Sequence, residues 1–130
     1  MADDEPRQRR DPVIRTLALL ADANQSGDIF GGWLLSQMDI ASGITAADRA
    51  RGRVATVAIE AMEFHLPVFV GDLISCYTEI IRVGTTSISI HVLTEAQRRD
   101  GGETIKVTEG TFIFVALDDE GRPRPVDGER

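Results

Sequence analysis

The hydrophobic period along the chain changes in an order that identifies its elements. Val13 to Leu20 is a short apolar run, read as a first strand. Asp22 to Asp28 follows with the composition of a loop. From Gly31-Gly32-Trp33 to about Ile44 the spacing predicts a helix. Its broad apolar face holds Trp33, Leu34, Gln37, Met38, Ile40, Ala41 and Ile44, leaving Leu35, Ser36, Asp39, Ser42 and Gly43 for the other side. A helix this apolar in so small a chain is expected to be a buried central element. After a polar connection through Asp48 and Arg51 the period drops to two. Strands are predicted over 54–64 and 73–83, from Thr86 through Val92, and from Ile105 to Leu117. Turn residues separate them at Leu66-Pro67, Gly71-Asp72, Gly84-Thr85 and Arg98 to Gly102.

One short strand, one buried helix and four long antiparallel strands make an α+β protein. A sheet must cover its apolar face, and this chain offers a single helix for the purpose. The economical solution is a curved antiparallel sheet wrapped around one central helix, the hotdog fold. Its sheet edges stay open, so pairing with a second copy is expected. The domain spans residues 12–117, between a disordered N-terminal tail over 1–11 and a C-terminal tail over 118–130.

Composition narrows the partners. The 130 residues carry 14 basic and 21 acidic side chains, a net charge of −7. Phosphate neutralisation needs a clustered basic face, so neither nucleic acid nor an anionic membrane surface is an expected partner. No run of about 18 apolar residues is present, which excludes an ordinary transmembrane helix. The polar start MADDEPRQRRDP lacks the apolar stretch of a secretory signal, so a cytoplasmic place is expected. The lone Cys76 cannot form an internal disulfide and reads as a small buried apolar residue. His65 and His91 are too few and too far apart in sequence to read as a metal centre. Neither metal nor cofactor is expected.

Two features of the helix carry chemistry. Gly31 and Gly32 at its start are costly to order and poor helix formers. Their use is close approach to the backbone. The first amide N–H groups of a helix have no intrahelical partner, and the dipole favours negative charge there. Such a terminus suits an oxyanion forming as a carbonyl is attacked. The alternative is that the two glycines only let the helix pack tightly on the sheet. Asp39 is a poor mid-helix residue in an apolar stretch. Burial without partners would raise its pKa, as a general base near neutrality requires. Alternatively it lies on a narrow exposed face with Ser36 and Ser42.

The segment Asn24 to Asp39, NQSGDIFGGWLLSQMD, resembles the helix-start signature of YciA-type acyl-CoA thioesterases of the hotdog superfamily. The likeness continues in GRVATVAIEAMEFHLPVFVGDLISCY, VGTTSISI and TEGTFIFVALDDEGRPRP, from about Leu17 to Pro125. It implies hydrolysis of acyl-CoA to a free acid and coenzyme A. It makes Asp39 the catalytic carboxylate, as general base or nucleophile. Asn24 then helps hold the water or the thioester, and Gly31 or Gly32 donates an N–H to the oxyanion. The resemblance also implies a site at a dimer interface, Asn24 of one chain facing Asp39 of the other. A homodimer is the minimal unit, and a hexamer built as a trimer of dimers would suit the family.

Gly84, Thr85, Thr86 and Ser87 offer consecutive donors in a bend. By resemblance they are candidates for contacting coenzyme A; alternatively they form a plain hairpin turn. Arg82, Lys106, Arg122 and Arg124 are available for phosphates or as solvated charges. A hotdog dehydratase needs a histidine beside the helix, and none occurs between Asp11 and Phe64. The remaining competitor is a non-catalytic acyl-CoA-binding module.

Overall fold

The computed structural model describes residues 11–128. Five strands, β1 (Ile14–Leu17), β2 (Val54–Phe64), β3 (Leu73–Val83), β4 (Ser87–Gln97) and β5 (Thr104–Ala116), form one sheet in the order β1-β3-β4-β5-β2. Every neighbouring pair is antiparallel. Among the described residues one α-helix, α1 (Gly31–Ala50), covers one face of the sheet. This is the expected hotdog arrangement of a curved antiparallel sheet around one helix.

The core follows from the period of each element. Along β4, Ile88, Ile90 and Val92 point to the helix and meet Phe112 and Phe114 of β5. Met38 and Ala41 close over them, and Gly43 leaves room for the Phe114 ring, which lies 3.7 Å from where a Cβ would stand. A second cluster gathers Leu34, Ile29, Val68, Ile74, Ala96 and Val107 under the helix start.

The helix differs from its predicted form in two ways. It runs on to Ala50, because Ala46, Ala47 and Ala50 are strong helix formers and two of them fill the core. Arg51, in the left-handed region at φ 57°, then ends it ahead of Gly52. Its buried face is also rotated. Ser42, assigned to the polar side, is fully buried, while Ile40 and Ile44 are 52% and 51% exposed. Ser42 tolerates burial because its hydroxyl donates to the Met38 carbonyl at 2.7 Å. Gly32, Ser36, Ile40 and Ile44, four residues apart, form an exposed stripe along the helix.

Smaller differences follow local chemistry. The first strand is only four residues, followed by a short 3-10 turn at Leu20–Asp22. The segment expected as a C-terminal surface tail folds back over residues 118–128. Val126 enters the core, and the buried Arg124 guanidinium donates to the carbonyls of Leu117, Pro125 and Ala50. The carbonyl of Ala50 ends the helix and has no later turn to bond. The N-terminal tail predicted over 1–11 lies, apart from Asp11, outside the described residues.

Edge strand β2 is bent where it passes the helix start. Its register against β5 shifts between Glu60 and Glu63, with Ala61 at φ 52°, the signature of a bulge. Met62 lies over Gly110 of β5, where a Cβ would come within 2.5 Å of the methionine methyl. The bulge re-aims the last residues of β2, so that Phe64 lies against Gly31.

Candidate active site

The loop before α1 is built by Asn24. Its side-chain oxygen accepts the N–H groups of Ser26 and Asp28 at 2.8 and 3.1 Å, while its own N–H donates to the Asp28 carbonyl. Gly27, at φ 90°, completes the turn. This arrangement fixes the amide: the oxygen is spent inside the turn, and the NH2 group makes no hydrogen bond among the described residues. The Phe30 N–H donates to the Asp22 carbonyl, tying the loop to the first turn of the helix.

Gly31 and Gly32 open α1 as predicted, with no side-chain cap on their N–H groups. They are not equivalent. A Cβ on Gly31 would touch the Phe64 ring at 3.5 Å, whereas a Cβ on Gly32 would meet nothing within 4 Å. Packing inside this chain therefore does not require glycine at 32. An open groove of about 250 Å3 adjoins this terminus, lined by Ile29, Gly31, Leu34 and residues 64–68.

Asp39 is half-buried in the middle of the helix, and a hydroxyl that sequence reasoning missed holds it. Thr56 Oγ1 donates to Asp39 Oδ1 at 2.6 Å. Thr56 pairs with Phe114 across β2 and β5, so it shares the helix-facing side with that buried ring. Asp39 therefore neither stands alone in an apolar core nor points freely to solvent. A threonine in an alternating strand carries no signal of this role, because the contact depends on which edge strand lies beside the helix.

Along the axis, Asp39 is eight residues from Gly31, about 12 Å at 1.5 Å per residue. The carboxylate oxygens of an aspartate reach only about 3.5 Å from its Cα, far short of that separation. Asp39 and the helix start of one protomer therefore cannot meet on the same carbonyl.

The turn at Gly84 to Ser87 is also apart from the helix start. The Thr85 carbonyl accepts from Val126, and Arg49, in the last turn of α1, binds Asp127. The turn therefore sits near the far end of a helix about 30 Å long. Glycine at 84 is explained by the turn itself, since a Cβ would come within 2.8 Å of Ser87 Oγ. Among the candidate phosphate ligands, Arg124 is buried in its carbonyl cage, Lys106 pairs with Glu109 at 3.0 Å, and Arg122 pairs with Asp118 and Glu120. Arg82 is exposed.

A sequence profile of the thioesterase superfamily matches residues 26–103. The chain is 50% identical over 117 residues to the acyl-CoA thioester hydrolase YciA of Salmonella typhimurium, covering 88% of each chain. The chain belongs to the thioesterase superfamily. Among solved members, the hexameric thioesterase y2039 from Yersinia pestis superposes with a TM-score of 0.87 at 45% identity, over 93% of this chain and 98% of that one. An acyl-CoA hydrolase from Staphylococcus aureus, solved with butyryl coenzyme A and coenzyme A, gives 0.80 at 27% identity over 86% and 68%. That hydrolase was also solved as asparagine-to-alanine and aspartate-to-alanine variants. Among the described residues of this thioesterase-superfamily chain, no helix is long and apolar enough to cross a membrane.

Proposed function

We propose that the chain hydrolyses acyl-CoA thioesters to a free carboxylic acid and coenzyme A, with Asp39 as the catalytic carboxylate. The observation that carries this reading is the Asp39 carboxylate, held half-buried at mid-helix by the Thr56 hydroxyl at 2.6 Å. Its free oxygen takes a proton from water as that water adds to the thioester carbonyl. The N–H groups of Gly31 and Gly32, with the Asn24 NH2, receive the developing oxyanion. The C–S bond then breaks, and the proton on Asp39 goes to the departing coenzyme A thiolate. In the nucleophilic variant Asp39 attacks the thioester carbonyl and the C–S bond breaks to release the coenzyme A thiolate. This gives a mixed anhydride that water opens at the Asp39 carbonyl, the water's proton going to the thiolate. A single turnover in oxygen-labelled water separates the two, because only the anhydride route deposits label in Asp39.

The 12 Å between Asp39 and Gly31 supports a centre shared by two chains, the helix start of one beside the carboxylate of its partner. Two antiparallel helices related by a two-fold axis bring Gly32 level with Asp39 of the other chain when they cross near Leu35 and Ser36. The exposed stripe of Gly32, Ser36, Ile40 and Ile44 suits such contact, with the small Ser36 at the crossing and Gly32 one turn from it. The hexameric relatives support dimers assembled further as a trimer of dimers. Gly84, Thr85, Thr86 and Ser87 would meet the nucleotide end of coenzyme A from a neighbouring protomer. The buried free thiol of Cys76 suits a reducing, cytoplasmic compartment.

The test is thiol release from acetyl-, hexanoyl- and palmitoyl-CoA by the parent and by Asp39→Ala. Release by the parent, lost in a folded and oligomeric variant, supports the assignment. Tight binding without release at any chain length replaces it with a non-catalytic acyl-CoA-binding module.

A further inference from the structure

His65 and His91 stand 26 positions apart in sequence, yet the structure brings them to opposite oxygens of one carboxylate. His65 Nε2 lies 2.8 Å from Glu109 Oε2, and His91 Nε2 lies 3.1 Å from Glu109 Oε1. Glu63 Oε1 is 4.0 Å from His65 Nε2. We propose that Glu63, His65 and Glu109 bind a divalent transition-metal ion of the zinc class, with His91 holding Glu109 in place from behind.

The sheet itself calls for positive charge here. Glu63 and Glu109 are direct partners across β2 and β5. Two like charges in that relation repel, and the pair is destabilising unless a cation stands between them. The Lys106 ammonium, 3.0 Å from Glu109 Oε2, now supplies part of that charge. Its side chain is about half exposed and can swing away when a dication arrives.

The donor set and spacing fit the metal. Zinc is held by imidazole nitrogen and carboxylate oxygen at about 2.0–2.2 Å, which puts neighbouring ligand atoms roughly 3.3 Å apart. The separations of 2.8 and 4.0 Å bracket that value, so small rotamer changes suffice. The three donor atoms lie within 4.8 Å of one another. Water would complete the coordination. The backbone beneath is fixed: His65 N–H donates to the Val107 carbonyl at 2.8 Å, and Thr108 Oγ1 donates to the Glu63 carbonyl at 2.6 Å. His91 bonding the second oxygen of a metal-binding carboxylate is the kind of outer partner that orients a ligand.

The experiment is calorimetric titration of the chelator-treated, desalted full-length protein with zinc chloride, paralleled by cobalt(II) titration in the visible. One ion bound per chain is expected, with a cobalt band of low-coordinate nitrogen and oxygen ligation. Glu109→Gln and His65→Ala should abolish it. His91→Ala should weaken it by about 10- to 100-fold. Lys106→Ala, which removes the competing ammonium, should tighten it. Absence of binding to the parent, or binding that survives both Glu109→Gln and His65→Ala, overturns the proposal and leaves the cluster a charge-balancing network.

Discussion

Replacing Thr56 by valine tests the proposed mechanism without touching the carboxylate. Valine has nearly the shape of threonine and a high strand propensity, so the exposed edge of β2 keeps its backbone. The one interaction removed is the 2.6 Å hydrogen bond to Asp39 Oδ1, the usual length for a hydroxyl donating to a carboxylate. Hydrogen bonds to charged groups are worth about 1.5–3 kcal/mol, and each 1.36 kcal/mol is tenfold in rate. Because the contact lies at a solvent-accessible edge, the lower half of that range applies, and kcat should fall by about 10- to 50-fold. The assay is thiol release at saturating and limiting acyl-CoA. KM should move by no more than about twofold, since Thr56 orients the carboxylate rather than binding the substrate. Thr56→Ser, which keeps the hydroxyl, should recover most of the loss. If valine turns over within about twofold of the parent, or serine is as poor as valine, Thr56 does not position Asp39.

Three further outcomes follow from other contacts. The folded pKa of Glu109, about 2, is depressed below the ordinary carboxylate value of 4.5, chiefly by the His65 and Lys106 hydrogen bonds. Its contribution to stability is thus complete above about pH 5 and disappears as pH falls toward 2; after discounting for solvent screening it amounts to about 1–2 kcal/mol. Urea denaturation across that window should show the loss in the parent and a flatter profile in Glu109→Gln; identical profiles would remove Glu109 as its source. Gly32→Ala should stabilise the fold by up to about 0.5–1 kcal/mol, since the methyl meets nothing, while lowering turnover where the thioester must approach. Unchanged kinetics in that variant would argue against close approach at 32. Arg124→Met leaves three carbonyls without their donor, and should lower the denaturation free energy by about 2–3 kcal/mol; a midpoint equal to the parent's would show that those carbonyls find other donors.

Periodicity made most of the architecture legible before any coordinates. The switch from period 3.6 over 31–44 to period 2 from Val54 onward specifies one helix and a sheet; β2, β3 and β5 fall within a residue of where alternation placed them, while β4 runs past its predicted end at Val92 to Gln97. What escaped was whatever depends on neighbours rather than on spacing. The helix wheel assigns Ile40 and Ile44 inward because they are apolar, but Ser42 takes the interior place by bonding its own helix, which frees that face. Asp39 was recognisable as an anomaly among apolar residues. Its partner Thr56 was not, since 17 residues and a change of element separate them. The charge cluster on Glu109 is invisible for the same reason: His65, His91 and Lys106 converge only through strand register. The C-terminal segment, with prolines, glycines and charges, reads as a tail, yet Arg124 and Val126 anchor it because the helix end has carbonyls to satisfy.

The rigid spacing between the opening glycines and Asp39 has a genetic consequence. If every centre draws its carboxylate from one subunit and its amide donors from another, a mixed pair of an intact chain and one lacking Asp39 keeps one working centre. Such alleles would be recessive in a co-expressing cell. Two chains inactive for different reasons, one without the carboxylate and one blocked at the helix start, would restore each other's turnover when mixed.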